Sequence, residues 1–171
     1  MILKNYWALS EGLAKATGSY TDTQTFPTKP VDTSGNEVIT FGFSLNAADP
    51  MAQVSAKAGL SVLVGSGDDT PAADDYALET DITSSISSFS VVKTYTIAES
   101  GNGYDIAFLV SGTNGTGATI TISEVGLMKT ISSTWNSADD TDLLLARFLL
   151  TDPIVVADGA GFSFAFKWAE A

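Results

Sequence analysis

The stretch Phe162-Ser163-Phe164-Ala165-Phe166-Lys167-Trp168 carries an aromatic ring at every second position. Side chains alternate across a strand with a period of two. This stretch therefore predicts one buried and one wet face, the habit of an antiparallel sheet.

The same period recurs upstream. Ile39, Phe41, Phe43 and Leu45 alternate with Thr40, Gly42 and Ser44. Leu60, Val62 and Val64 flank Leu63 in an apolar run suited to a strand covered on both sides. Phe89, Val91, Tyr95 and Ile97 share one side of a further segment, and Tyr104, Ile106, Phe108 and Val110 follow the turn Gly101-Asn102-Gly103. Asn114-Gly115-Thr116-Gly117 offers residues that tolerate positive φ, as a hairpin loop requires. Ile120 and Ile122 continue the alternation, and Leu143, Leu145 and Phe148 lie in another apolar stretch. About seven or eight strands with turns between them predict an all-β fold, an antiparallel β-sandwich of jelly-roll or Ig-like type.

Two local features refine this reading. The buried parity switches near Glu124, from Ile120 and Ile122 to Val125 and Leu127, which predicts a β-bulge there, with Gly126 suited to it. Thr70-Pro71-Ala72-Ala73-Asp74 has a cap, a proline at the first helical position and an acid in the first turn, so one turn of helix is expected.

Residues 1–35 read as an N-terminal arm or irregular lead-in, and residues 36–171 as the sandwich domain. Tyr6, Leu9, Leu13 and Ala16 fall on one helical face, while Pro27 and Pro30 oppose regular pairing over the polar stretch from Thr21. Tyr6, Trp7, Leu9 and Leu13 are candidate interface anchors, because a small domain does not leave such residues in water without a partner.

Composition narrows the chemistry. The 171 residues fit one domain. Eight basic residues stand against 20 acidic ones, a net charge of -12, and Arg147 is the only arginine. No cluster of cations is present to displace counterions, so neither nucleic acid nor an anionic membrane is an expected partner. Cysteine and histidine are absent. That removes disulfides, thiolate nucleophiles, Cys/His zinc sites and the imidazole base, and the chain is expected to be non-catalytic with no cofactor. Lys4, Glu11 and Lys15 interrupt any signal-peptide core, and no apolar run approaches a membrane span. Synthesis in a cytosol is expected.

Two acidic clusters are weak calcium candidates. Asp68, Asp69, Asp74, Asp75 and Glu79 surround a glycine-rich turn, and Asp139, Asp140 and Asp142 form a second group. The oxygen ligands are of the right type, but the spacing matches no calcium loop, and solvated turns explain them equally well. Paired carboxylates could serve glycoside hydrolysis, but sequence does not set their separation. Gly65-Ser66-Gly67 lacks the lysine and helix of a phosphate loop. Trp7, Trp135 and Tyr20 could stack on sugars, although aromatics in a β-protein more often serve core or interface.

Three segments occur in order: Val62-Leu63-Val64-Gly65-Ser66-Gly67 running through Pro71 to Asp75-Tyr76-Ala77-Leu78-Glu79; Ile120-Thr121-Ile122-Ser123-Glu124-Val125-Gly126-Leu127; and Leu144-Leu145-Ala146-Arg147 leading to Pro153-Ile154-Val155-Val156. Over residues 59–169 this trio resembles small structural proteins of tailed bacteriophages, the head-fibre, capsid-decoration or tail proteins. The resemblance implies a virion subunit that assembles with itself, as a homo-oligomer, and with other virion proteins. A carbohydrate-binding or adhesin-like sandwich module is the alternative. Within the motif, Tyr76 and Leu78 are expected to fold back as apolar plugs. Glu124, alone among Thr, Ser and Ile, is expected to pair with Arg147, fixing register more than adding stability.

Overall fold

The period-2 segments form antiparallel strands. The structure, a computed structural model, describes residues 1–8, 21–25, 28–44, 61–97, 104–132 and 140–169, with the backbone alone at 21–25, 40–44, 93–97, 104–106, 132 and 167–169. Within these lie β1 (Thr21–Thr25), β2 (Thr40–Ser44), β3 (Ser61–Gly65), β4 (Ile86–Ile97), β5 (Tyr104–Asn114), β6 (Ile120–Ser132), β7 (Asp140–Val156) and β8 (Gly161–Ala169). β1 and β2 make a ribbon, β3-β6-β7 one sheet and β4-β5-β8 another. Every one of these pairs is antiparallel. Among the described residues no helix is long and apolar enough to cross a membrane.

Both three-stranded sheets feed one apolar cluster. Val62 and Val64 of β3, Ile122, Val125 and Leu127 of β6, and Ala146 and Val156 of β7 meet Ile86 of β4 and Phe108 and Val110 of β5. Phe108 stacks on Phe166 with centroids 5.7 Å apart, and Phe166 lies 5.1 Å from Phe148 of the other sheet. Complete burial of each large side chain contributes about 1.5–3 kcal/mol.

The parity switch in β6 coincides with a break in register. Ile122 pairs with Ile154 and Glu124 with Leu149, so residues 150–153 stand opposite Ser123 alone. Pro153 falls in this irregular stretch, where its missing N–H interrupts no ladder. Gly126, expected at the bulge, instead pairs regularly with Arg147. Its bareness makes room for Leu144 and Leu78, whose methyls would lie 2.8 and 3.0 Å from an added Cβ.

The helical turn expected at Thr70–Asp74 is a simple turn. The Asp75 N–H reaches the Ala72 carbonyl at 3.2 Å, and the Asp75 carboxylate accepts the Ala72 N–H at 3.0 Å. That carboxylate is also held by Arg147, so the segment closes on itself and does not propagate. A short 3-10 turn forms later, at Thr83–Ser85.

β1 lies where the prolines spoke against pairing. Its residues are polar and Pro27 and Pro30 come after it, so its backbone is free to pair with β2. Together with the Val31–Glu37 bridge, this pairing crosses residue 35, where the lead-in was expected to end. Residues 1–8 also lie on the body of the protein. Ile2 bridges Ala146, the Leu3 N–H donates to the Leu145 carbonyl at 2.9 Å, and the Arg147 N–H donates to the Met1 carbonyl at 3.0 Å. This short strand extends the β3-β6-β7 sheet past β7. Residues 4–8 then turn helically, with Leu3, Asn5 and Ala8 buried and Tyr6 half-buried.

Candidate functional site

Glu124 owes its position to the break in register between β6 and β7, where β7 carries the extra residues. Without it, residue 124 would share the core face with Ile122; the break turns it to the opposite face. There Gly126 pairs with Arg147, so Arg147 of β7 is the diagonal neighbour of Glu124. The loop from Gly65 to Ile82 then folds over both side chains, tied to the edge of β3 by a Gly65–Asp81 bridge and by Thr83 against Val64.

The expected pair forms, and it is the centre of a larger network. The Arg147 Nε donates to Glu124 Oε2 at 2.7 Å. Its Nη1 donates to Asp75 Oδ2 at 2.9 Å, and its Nη2 to Glu79 Oε2 and the Asp69 carbonyl at 3.3 and 3.2 Å. Glu124 Oε1 accepts the N–H groups of Gly67 and Thr80 at 3.1 and 2.9 Å, while Oε2 also accepts the Glu79 N–H at 3.3 Å. Glu124 is fully buried and Arg147 is 3% exposed. Charges this deep are tolerable only when their hydrogen-bonding capacity is met, and among the described residues no buried side-chain nitrogen or oxygen lacks a partner. Desolvation disfavours the guanidinium charge, but hydrogen bonds and Coulomb attraction from Asp75 and Glu124 outweigh it, and the Arg147 pKa is raised.

Two glycines make the enclosure possible. A Cβ on Gly65 would stand 2.6 Å from Glu124 Cγ and 2.7 Å from the Thr80 carbonyl, and one on Gly67 would stand 2.7 Å from Glu124 Oε1. The Gly-Ser-Gly run therefore admits a buried carboxylate. The Ser123 hydroxyl completes the seam by donating to the Gly67 carbonyl at 2.7 Å.

Outside this centre lies an open cleft of about 480 Å³, lined by Asp69, Asp74, Asp75, Tyr76, Glu79 and Arg147 among others. Of the calcium candidates, Asp68 and Asp69 come together with Glu79, one carboxylate oxygen from each lying within 4.8 Å of the others, and all three residues are exposed. Asp75 is bound to Arg147 instead, and Asp74 stands apart on the cleft wall. In the second group Asp142 accepts the Thr130 hydroxyl at 2.6 Å, while Asp139 lies outside the described residues. Leu78 is buried against Leu3 and Leu144, as a plug should be, whereas Tyr76 is 44% exposed. Among the interface candidates, Tyr6 and Trp7 meet edge to face with centroids 5.2 Å apart, and Trp7 is 63% exposed. Leu9 and Leu13, like Trp135 and Tyr20, lie outside the described residues.

Sequence reasoning missed two polar anchors. Asn5 exchanges hydrogen bonds with the Val31 backbone at 2.6 and 2.8 Å, and fully buried Asn114 ties the β5–β6 turn to the end of β7. The Asn114-Gly115 signal was legible as a turn, but a turn alone does not say that its asparagine points inward. The chain matches no family model, no curated protein and no solved structure.

Proposed function

We propose that this protein is a non-catalytic structural subunit of a tailed-phage virion, a β-sandwich acting through protein–protein assembly with itself and other virion components. One observation carries the reading. The three segments that resemble the phage proteins converge on each other: Gly67, Asp69, Asp75 and Glu79 from the first, Glu124 from the second and Arg147 from the third are mutual partners. What the segments share is thus a lock between a loop and a sheet, which serves a scaffold. Glu124 is sealed from solvent with its acceptor positions filled, so it is not offered to a substrate. The sandwich reading rests on the apolar cluster to which both sheets contribute.

Quantitative mass spectrometry of purified particles tests the proposal. The expected result is the chain at many copies per particle, with antibody labelling on the particle surface. Its absence from washed particles overturns the reading. The carbohydrate-binding alternative is favoured by the exposed Trp7 ring beside Tyr6. Glycan-array binding lost in Trp7→Ala would establish it instead.

A further inference from the structure

The partly buried side chains packed against the core are concentrated on one flank. Phe148, Leu150 and Ile154 of β7 and Phe162, Phe164 and Phe166 of β8 all face the core, yet none is completely covered. β7 and β8 are each the last strand of their sheet, and Phe148 of β7 lies 5.1 Å from Phe166 of β8. The other outer strands of these two sheets are covered or interrupted over part of their length. Residues 81–83 hold the end of the β3 edge, and residues 1–3 pair with β7 at 145–147. β4 carries a register break between Ser87 and Ser90, with Ser88 at φ 51°, before running regularly from Ser90 to Ile97. Among the described residues nothing pairs with the outer edge of β8, a regular strand of nine residues with no proline and no bulge.

We infer that the β8 edge is a homotypic docking surface, on which a second copy of this chain pairs antiparallel about a two-fold axis at Phe164. Sequence and charge both select a second copy. Around Phe164 the strand is nearly palindromic: a two-fold sets Phe162 opposite Phe166 and Ser163 opposite Ala165, so ring meets ring and small side chain meets small side chain. The pairing joins the two β4-β5-β8 sheets into one of six strands and lines the three phenylalanines of each copy along the seam, where aromatic cross-strand pairs are favourable. β8 holds no acid, in a chain with 20 acidic residues and a net charge of -12. A basic partner would be drawn to the acidic surface elsewhere, whereas a second copy meets no like-charge opposition at this edge. A two-fold pairing uses the same β8 edge of both copies, so the contact closes as a pair and does not propagate into a fibre. This inference concerns pairs of copies in solution and does not depend on the virion reading; particle composition does not decide it.

The test is mass in solution by sedimentation velocity and light scattering across a dilution series of the full chain. The wild type should show two chains at high concentration. Ser163 and Ala165 are exposed, so S163K/A165K leaves the monomer intact while setting like charges directly opposite each other across the axis. Its mass should fall to one chain with unchanged circular dichroism and melting. The chain has no cysteine, so S163C/A165C, in which each cysteine faces the unlike one of the other copy, should form a covalent dimer on oxidation, while V92C on β4 stays monomeric on reducing-agent-free gels. A single-chain mass throughout, continued growth beyond two chains, or a dimer that survives S163K/A165K without cross-linking through S163C/A165C overturns the inference.

Discussion

Arg147 on β7 and Glu124 on β6 meet diagonally across their strand pair, Nε to Oε2 at 2.7 Å, beneath a loop whose N–H groups complete the carboxylate's shell. The two are not equivalent. Arg147 keeps Asp75 and Glu79 if Glu124 is neutralised, whereas among the described residues Glu124 has no other cation in contact if Arg147 is lost.

Removing the arginine should therefore cost more than neutralising the glutamate. Arg147→Met leaves a buried carboxylate uncompensated, a loss of about 3–5 kcal/mol. Glu124→Gln presents an amide where backbone N–H groups donate, and should cost roughly half as much. Denaturant titration of both single variants and the double variant would show a coupling of about 1–3 kcal/mol. Glu124→Gln with wild-type stability would mean that the pair does not hold the loop to the sheet.

The glycines of the lock should be more sensitive than those of exposed turns. Gly65→Ala forces a methyl against Glu124 Cγ and the Thr80 carbonyl. Gly117 has φ 81° but nothing within 4 Å of an added Cβ, so Gly117→Ala carries only backbone strain of about 1 kcal/mol. Gly65→Ala should lower the melting temperature by clearly more than Gly117→Ala. Equal shifts would show that the loop yields without effort.

Calcium should have little effect on melting. Glu79 Oε2 already accepts from Arg147 Nη2 and the Asp69 N–H, so the Asp68–Asp69–Glu79 group has one ligand committed elsewhere. Scanning calorimetry with EDTA or excess calcium should give the same transition. A calcium-dependent rise lost in Asp68→Asn would establish a site, since a ligand bound only by the folded state must raise its stability.

Leu3 is fully buried with Leu78 and Leu144, so the N-terminal residues contribute to stability directly. Leu3→Ala should cost about 2–5 kcal/mol, measurable as a shift in the denaturation midpoint. Trp7→Ala, at an exposed ring, should change it by less than about 0.5 kcal/mol. If Leu3→Ala were silent, residues 1–8 would be a detachable arm.

The strands were legible wherever one face is apolar, because burial writes a period of two into the sequence. β2, β4, β5 and β8 carry that period, β6 carries it with a switch at Glu124, and β3 and β7 show as apolar runs. β1, Thr-Asp-Thr-Gln-Thr, does not carry it, since its pairing with β2 is a backbone matter. The Glu124–Arg147 pair was legible because a lone arginine and a lone acid in an apolar strand have few other partners. Asp75, Glu79 and the N–H groups of Gly67 and Thr80 were not, because their positions depend on the path of a loop that only the folded sheet defines. Of the acids that look like ligands in the sequence, Asp75 and Glu79 are here bound to Arg147.

Asn114 offers the sharpest test of how the two sheets are joined at one end. Its Nδ2 donates to the Ala118 and Val156 carbonyls at 2.7 and 3.0 Å, and its Oδ1 accepts the Thr116 N–H and hydroxyl at 3.0 and 2.8 Å. Its backbone N–H and carbonyl meet Ala160 and Gly159, so one residue ties the β5–β6 turn to the β7–β8 turn. Asp158 reinforces the junction by accepting the Gly117 N–H at 2.9 Å, in an exposed setting. Asn114→Ala leaves the Val156 carbonyl without its side-chain donor in a buried site and should cost about 2–3 kcal/mol. Asp158→Ala removes an exposed contact and should cost under about 1 kcal/mol. Hydrogen exchange should then accelerate in both turns of Asn114→Ala at once, while the amides of β3 stay protected. Exchange that speeds up in residues 115–119 alone would show that the two turns are stabilised independently.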